Sequence, residues 1–374
     1  MNIAVNTRLL LKGRLEGIGR FTHETMSRVV KLMPEHRFHF FFDRAFDNDF
    51  IYAENVIGHA IFPPARHPLL YNLWFHHAIP RAIKKHNVDL FFSPEGYLPL
   101  DSSVPCINVM HDINFEHHPE MVPPKHSRHF RKYFPKYAHA ASKIITVSEF
   151  SRSDIAKCYD IDPQKIFVVY NGVSKSFSAI DDLQRTEYQN QITQGDPYFV
   201  FIGSIHPRKN LARLIKAFDH FKQEKKLPHK LVVVGKKAFM NDDLEVAYHK
   251  MKFQSEVLFT GRLEQETMIK TLAAAEALVY IPIYEGFGIP IIEAFKCEVP
   301  VITANSSALP EIAGGAALLV DPFSIDSIKE GLISLAENGA VRRELIESGR
   351  NRSTHFDWDR TAAEIVEILK RNLG

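Results

Sequence analysis

The sequence predicts an α/β protein made of two parallel-sheet domains, and three observations carry that expectation. Short apolar runs alternate with amphipathic helical patterns from end to end, as parallel sheets covered by helices on both faces require. The chain has 374 residues, too many for one ordinary core, so two domains are expected. One polar segment, Ser174 to Asp196, interrupts the alternation and runs into Pro197. It reads as the connection between domains, with some helix inside it.

Taken in order, the strand-like runs of the first half are Ile3–Asn6, Phe38–Phe42, Leu90–Ser93, Ile107–Met110, Ile144–Val147 and Phe167–Tyr170. Gly17-Ile18-Gly19 follows the first run and leads into a helix near Arg20. A glycine loop there lets the backbone approach a phosphate or a sugar, although many such turns carry glycine without a ligand. His111-Asp112 ends the fourth run, at a strand C-terminus, where open α/β sheets bind ligands. A lone histidine there is more often a satisfied structural one. Ser148, Glu149 and Asn171 also stand at strand ends, where capping and turn formation account for them.

The runs of the second half are Tyr198–Ile202, Leu231–Val234, Val257–Thr260, Leu278–Ile281, Val301–Thr303 and Leu318–Val320, followed by an amphipathic helix over Trp358–Leu373. Two junctions here carry chemistry. After the run ending at Ile202, Gly203-Ser204 turns the chain, and His206, Arg208 and Lys209 precede Asn210, a good N-cap for a helix from Leu211. Arg supplies a planar fork and Lys a point charge, a pairing suited to a diphosphate; most isolated Arg-Lys pairs are solvated loop residues. The second junction is Tyr284 to Glu293, Y-E-G-F-G-I-P-I-I-E. It reads as strand, glycine loop, then helix, with Pro290 suited to the first turn. Such a junction offers free N–H groups and the positive end of a helix dipole to a phosphate. Glu285 in the loop and Glu293 in the first helical turn are placed to accept hydrogen bonds from sugar or ribose hydroxyls. An ordinary helix start with glutamate in its first turn gives the same pattern.

Taken together these residues resemble the retaining glycosyltransferases of family 4, the group 1 glycosyltransferases of GT-B fold. The resemblance rests on F-I-G-S-I-H-P-R-K-N-L at Phe201–Leu211, L-V-V-V-G at Leu231–Gly235 and V-L-F-T-G at Val257–Gly261. It continues with E-G-F-G-I-P-I-I-E-A at Glu285–Ala294 and V-P-V-I-T-A-N-S-S-A-L-P-E-I-A-G at Val299–Gly314. In the first half it extends through His111-Asp112, T-V-S-E-F-S at Thr146–Ser151 and V-Y-N-G-V at Val169–Val173. It implies two Rossmann-like domains facing a central cleft: an acceptor domain over 1–180 with the terminal helix, 357–374, crossing back to it, and a nucleotide-sugar domain over 190–356. It further implies that Arg208 and Lys209 bind the diphosphate and stabilise the leaving group. Glu293 accepts from the ribose and Glu285 from the donor sugar, which His111 contacts. The backbone around Phe287 and Gly288 gives amide donors, Leu263 meets the base, and Gly17, Gly19 and Gly203 lie at the donor. No covalent nucleophile stands out.

Composition agrees. Hydrophobic content of 45% and charged content of 24% are those of a soluble globular protein, and a net charge of only +2 supplies no field for nucleic acid. Cys106, Cys158 and Cys297 are scattered without a C-x-x-C pair, which fits a reducing compartment and argues against a disulfide framework or a zinc site. The N-terminus does not read as a signal peptide, and no apolar run approaches the length that spans a bilayer; a cytoplasmic enzyme is expected. D-x-D patterns at Asp47, Asp160 and Asp357 do not follow buried strands, so neither metal nor cofactor is expected, with Arg208, Lys209 and helix dipoles in place of an ion. Lys125 to Lys143 holds six Lys or Arg and no acidic residue, the pattern of a solvated helix face or of a patch at the membrane's inner face for anionic headgroups or a lipid diphosphate.

The expectation is therefore a retaining, metal-independent hexosyltransferase of surface-polysaccharide synthesis, acting on a glycan or lipid-linked acceptor. V-M-H-D-I-N-F-E-H-H-P-E at Val109–Glu120 resembles bacterial mannosyltransferases and favours GDP-mannose over a UDP-hexose. Two rivals share the fold: a sugar-nucleotide epimerase and a non-catalytic nucleotide-sugar-binding protein.

Overall fold

The computed structural model describes residues 1–15, 17–65, 67–236 and 242–372. The chain divides into two compact units, Met1–Gly172 with Asp357–Gly374, and Val173–Phe356.

In the first unit the strands are β1 Asn2–Asn6, β2 Arg37–Phe42, β3 Val56–Ala60, β4 Leu90–Ser93, β5 Cys106–Val109, β6 Lys143–Thr146 and β7 Ile166–Val168. They form one parallel sheet in the order β3-β2-β1-β4-β5-β6-β7. Apolar cores lie on both faces, which is why the central strands read as unbroken apolar runs. The strand β3 went unread in the sequence. Its V-I-G-H-A is interrupted by glycine and histidine, and as an edge strand it pairs only with β2. The terminal helix, Trp358–Lys370, buries Trp358, Ala362, Ile365, Val366 and Leu369 in the core that also holds Ile3 and Phe21. It packs along the helix Ile18–Leu32.

The second unit contains β8 Tyr198–Ile202, β9 Lys230–Val234, β10 Val257–Gly261, β11 Ala277–Tyr280, β12 Val301–Ala304 and β13 Leu318–Val320. Their parallel order is β10-β9-β8-β11-β12-β13. The polar segment before β8 holds the helix Asp182–Thr193, started by a capping box between Asp181 and Gln184. That helix is docked within the second unit. Tyr188 lies 3.1 Å from the Thr271 hydroxyl, and the Gln189 amide donates to the Ala274 carbonyl at 2.9 Å. Among the described residues no helix is long and apolar enough to cross a membrane.

Candidate functional site: an arginine–lysine–glutamate cluster

In the second unit the sheet order changes sense between β8 and β11, because the chain builds outward to β10 and returns to β11 beside β8. The C-terminal ends of two such strands form the crevice where open α/β sheets receive ligands. Both chemical junctions of the sequence open there. Beyond β8 the chain passes Gly203 and makes a 3-10 turn over Pro207–Lys209. His206 caps that turn, its Nδ1 accepting from the Arg208 N–H at 3.2 Å. Beyond β11 the chain runs through Tyr284–Gly288 into the helix Ile289–Lys296. The two loops are joined by the backbone itself, since Ile283 N–H donates to the Arg208 carbonyl at 2.9 Å.

The side chains then converge. Oε1 of Glu285 accepts from Arg208 Nη1 at 2.6 Å and also from Lys209 Nζ. Arg208 Nη1 donates in addition to the Tyr284 carbonyl at 2.6 Å. Lys209 donates to the Tyr280 hydroxyl at 2.6 Å and lies 5.0 Å from the centre of that ring. Glu285 is only 8% exposed. Burial is the largest single influence on its carboxyl and pushes it up, but Arg208, Lys209 and hydrogen bonds from Lys209 and Tyr280 together outweigh it and hold the carboxyl below its ordinary range. Burial, then the charge of Glu285, pushes the Tyr280 hydroxyl well above its ordinary range, so it stays a neutral donor and acceptor. Two cations share the one carboxylate they touch in a water-poor setting, with the buried Glu293 also acting on Tyr280; cations held in this way are suited to an anion. Tyr280 is the member that sequence reading missed. It ends the A-L-V-Y run four residues before Tyr284 and reads there as one more buried strand residue.

The supporting shell is partly as expected and partly not. Gly288 sits at φ +105°, and a Cβ added there would meet Leu309 Cδ2 at 2.9 Å; only glycine fits both the conformation and the space. Glu293 is buried but is the fifth residue of its helix, beyond the first turn where it was expected. The helix starts at Ile289 with Pro290 in its first turn, as expected, and Glu293 lies just beyond that turn, so a favourable dipole position does not explain this carboxylate. Asn210 occupies the N-cap position in left-handed conformation, but its side chain does not cap. Its amide ties the Ile281 and Pro322 carbonyls together at 3.1 and 2.7 Å. Phe287 packs edge-to-face on Phe356 at 5.7 Å, which leaves only its backbone for a ligand. Leu263 stands half-buried just beyond β10.

The first unit has its own change of sense, between β1 and β4, and a related cluster that sequence reading did not assemble. Arg8, two residues past β1, pairs with the buried Glu95, two residues past β4, at 2.5 Å. Arg8 also lies 5.0 Å and 5.4 Å from the rings of Tyr71 and Tyr97. Burial pushes the Glu95 carboxyl up, while Arg8 stays a cation because Glu95 outweighs its own desolvation. The signal available was an Arg two residues after one strand and a Glu two residues after another, the spacing of neither being a motif.

His111 and the glycine loop also belong to the first unit. His111 Nε2 donates to the Pro94 carbonyl at 2.9 Å, which leaves Nδ1 as the accepting nitrogen. Burial lowers its pKa against the opposing influence of Pro94 and Asp112, favouring the neutral ring. Phe21, on the helix that begins after Gly17, packs edge-on against His111 at 4.9 Å. Gly19 is required by closeness: a Cβ would stand 2.6 Å from the Leu9 carbonyl oxygen. Ser148 does cap, accepting from Ser151 N–H at 3.1 Å.

The aspartates of the D-x-D patterns have structural tasks: Asp47 and Asp49 pair with Lys12, Asp162 caps a 3-10 turn, and Asp357 caps the terminal helix whose Asp359 pairs with Arg28. The basic segment is the helix Pro124–Ala140. Its Phe134 and Tyr137 are buried, and Phe130 and Tyr133 pack on the same core. These rings are the helix's core face and are turned to the first unit's own interior. Lys125, Arg128, Lys132 and Lys136 form an exposed face.

The domain described as "Glycosyl transferases group 1" matches residues 184–352, and the domain described as "Glycosyltransferase Family 4" matches residues 15–177. An O-antigen chain mannosyltransferase B from Escherichia coli is 27% identical over 375 residues, covering 96% of this chain and 97% of that protein. Among solved structures, a sucrose-phosphate synthase from Thermosynechococcus elongatus superposes with a TM-score of 0.80 at 16% identity, covering 99% of this chain and 98% of that one. HepE of Anabaena, solved with UDP and glucose, superposes at 0.77 and 17% identity, covering 99% of this chain and 100% of that one. The two domain matches, which together span most of the chain, and the likeness of fold agree: the chain belongs to the group 1 glycosyltransferases and has the GT-B fold.

Proposed function

We propose that this glycosyltransferase is a retaining mannosyltransferase that takes mannose from GDP-mannose and passes it to a hydroxyl of a glycan or lipid-linked acceptor in surface-polysaccharide synthesis. The observation that carries the reading is the Arg208–Lys209–Glu285–Tyr280 cluster at the β8/β11 crevice. The mannosyl specificity draws on the likeness to the Escherichia coli O-antigen chain mannosyltransferase B, which spans nearly the whole of both chains. Arg208 and Lys209 hold the diphosphate and stabilise the charge that grows on it as the anomeric carbon–oxygen bond breaks. The acceptor oxygen bonds to that carbon on the same face, and its proton passes to the departing phosphate oxygen. Glu285 orients the two cations and accepts from sugar hydroxyls, and Glu293 accepts from the ribose. His111 offers Nδ1 to the donor sugar. The two cations supply the charge that a metal gives other glycosyltransferases, so turnover is expected to persist in EDTA.

The exposed basic face of Pro124–Ala140 supports a reversible contact with an anionic membrane surface, each basic residue near such a surface contributing about 1 kcal/mol. The test of the function is a donor screen with GDP-mannose, UDP-glucose and ADP-glucose, read by thermal shift and by sugar release. GDP-mannose should give the largest stabilisation and the fastest release. Product formed from the nucleotide sugar alone, with the sugar epimerised and still attached, would favour the epimerase. Binding with no transfer to any acceptor or to water would favour the non-catalytic reading.

A further inference from the structure

The sequence argued against a zinc site, because its cysteines are far apart and stand in no metal-binding spacing. The fold removes that objection at one place. The helix Glu149–Tyr159 carries Asp154 and Cys158 one turn apart on the same side. The short helix Asn114–His117 brings His117 against them. His117 Nε2 lies 2.8 Å from Asp154 Oδ1, Cys158 Sγ lies 3.6 Å from that same oxygen, and Sγ lies 3.9 Å from Nε2. Around a tetrahedral zinc at ordinary bond lengths the corresponding edges are about 3.3 Å for N···O, about 3.5 Å for S···O and about 3.6 Å for S···N. The three atoms thus match one face of a zinc tetrahedron to within about 0.5 Å, and Nε2 also lies 3.0 Å from Asp154 Oδ2.

The donor set is also right. Imidazole, carboxylate and thiolate are the three protein ligands of zinc, and no hard cation such as magnesium would choose a thiolate. The neighbouring charges are balanced, Glu116 being paired with Arg131 at 3.1 Å. Glu116 acts on Cys158 electrostatically and accepts from the Tyr159 hydroxyl at 3.0 Å, while Lys157 opposes it. His117 is 37% exposed at its side chain and Cys158 is exposed, so an ion and a fourth ligand have open access.

We propose that His117, Asp154 and Cys158 form a peripheral zinc site in the first unit. The ion binds the imidazole nitrogen, one carboxylate oxygen and the thiolate sulfur. The thiol proton is released to solvent, and water takes the fourth position. Its effect is to fasten the segment that leaves His111 to the helix Glu149–Tyr159. The site belongs to the first unit and the Arg208 cluster to the second, and the ion takes no part in sugar transfer.

The experiment uses untagged, full-length protein, stripped with EDTA and titrated with Co²⁺ and then with Zn²⁺. One equivalent of Co²⁺ should produce a thiolate-to-cobalt charge-transfer band in the near ultraviolet together with visible bands of tetrahedral intensity, and Zn²⁺ should abolish both. In Cys158→Ser the charge-transfer band should vanish while donor turnover is retained, which shows that the variant is folded. In His117→Ala the affinity for Co²⁺ should fall at least about tenfold, since losing even a partner that orients a ligand costs that much. Zn²⁺ should also protect Cys158 from alkylation, read by peptide mass. Visible bands without a thiolate band would overturn the proposal, because they would place the ion on histidines alone. A band that survives in Cys158→Ser would overturn it as well, as would stripped wild-type protein that shows no bands.

Discussion

Glu285 is held by two cations and Lys209 by two acceptors, so substitutions here separate binding from chemistry. Tyr280→Phe removes one acceptor from a half-buried ammonium. A hydrogen bond to a charged group contributes about 1.5–3 kcal/mol, so donor affinity or turnover should fall roughly ten- to a hundredfold. Glu293→Ala should weaken donor binding and Glu285→Ala should lower turnover, each by about 1–3 kcal/mol, the cost of leaving a partner unpaired. Steady-state kinetics with the correct donor decides this: parental constants in both variants would take the loop out of the site. The residues of the cluster were legible because Arg208, Lys209 and Glu285 sit in stretches whose order of strand, glycine and helix is local. Tyr280 was not, because its neighbours in space, Lys209 and Glu285, arrive from loops on two different strands. Arg8 and Glu95 were hidden for the same reason, 87 residues separating them.

The loop Tyr284–Gly288 and the terminal helix are the elements on which the two units most visibly depend. Gly288→Ala forces a side chain into a positive-φ conformation, at roughly 1–2 kcal/mol, and drives its Cβ toward Leu309. A lowered Tm together with lost donor binding should follow; unchanged melting would show that the loop can relax. The terminal helix contributes one wall of the first unit's core, and Ile365 in it is fully buried. Ile365→Ala should cost roughly 2–5 kcal/mol, the range for a large apolar side chain in a core, read by urea unfolding. The period of this helix was plain in the sequence, and so were the central strands, whose predicted ends differ from the observed ones by a residue or two. The edge strand Val56–Ala60 was not, since one exposed edge relaxes the demand for an unbroken apolar run. The helix start at Leu211 and the place of Pro290 in a first turn were legible; that the Asn210 side chain, claimed by the Ile281 and Pro322 carbonyls, makes no cap, and that Glu293 falls just past its first turn, were not.

At the scale of the molecule, the histidines concentrate in the first unit and several are held neutral. Burial is the leading cause for His39, His59, His76, His86, His111 and His129, with His59 and His129 lowered to about 4. A histidine whose folded pKa is depressed binds a proton first in the unfolded chain, so its contribution is complete above about 6.5 and is lost as pH falls toward the folded value. The first unit should therefore lose stability between about pH 6.5 and pH 4. Both tryptophans, Trp74 and Trp358, are buried in that unit, so denaturant unfolding followed by tryptophan fluorescence reads it selectively; a midpoint independent of pH over this range would contradict the assignment. The most direct test of the whole account is mannose transfer from GDP-mannose by the wild-type chain beside Arg208→Ala and Lys209→Ala, with folding verified by circular dichroism. The account predicts transfer by the wild type, with the configuration at the anomeric carbon retained, and a loss of at least about a hundredfold in each variant, the scale of removing one preorganised charge-stabilising donor. Variants that turn over at the wild-type rate would contradict it.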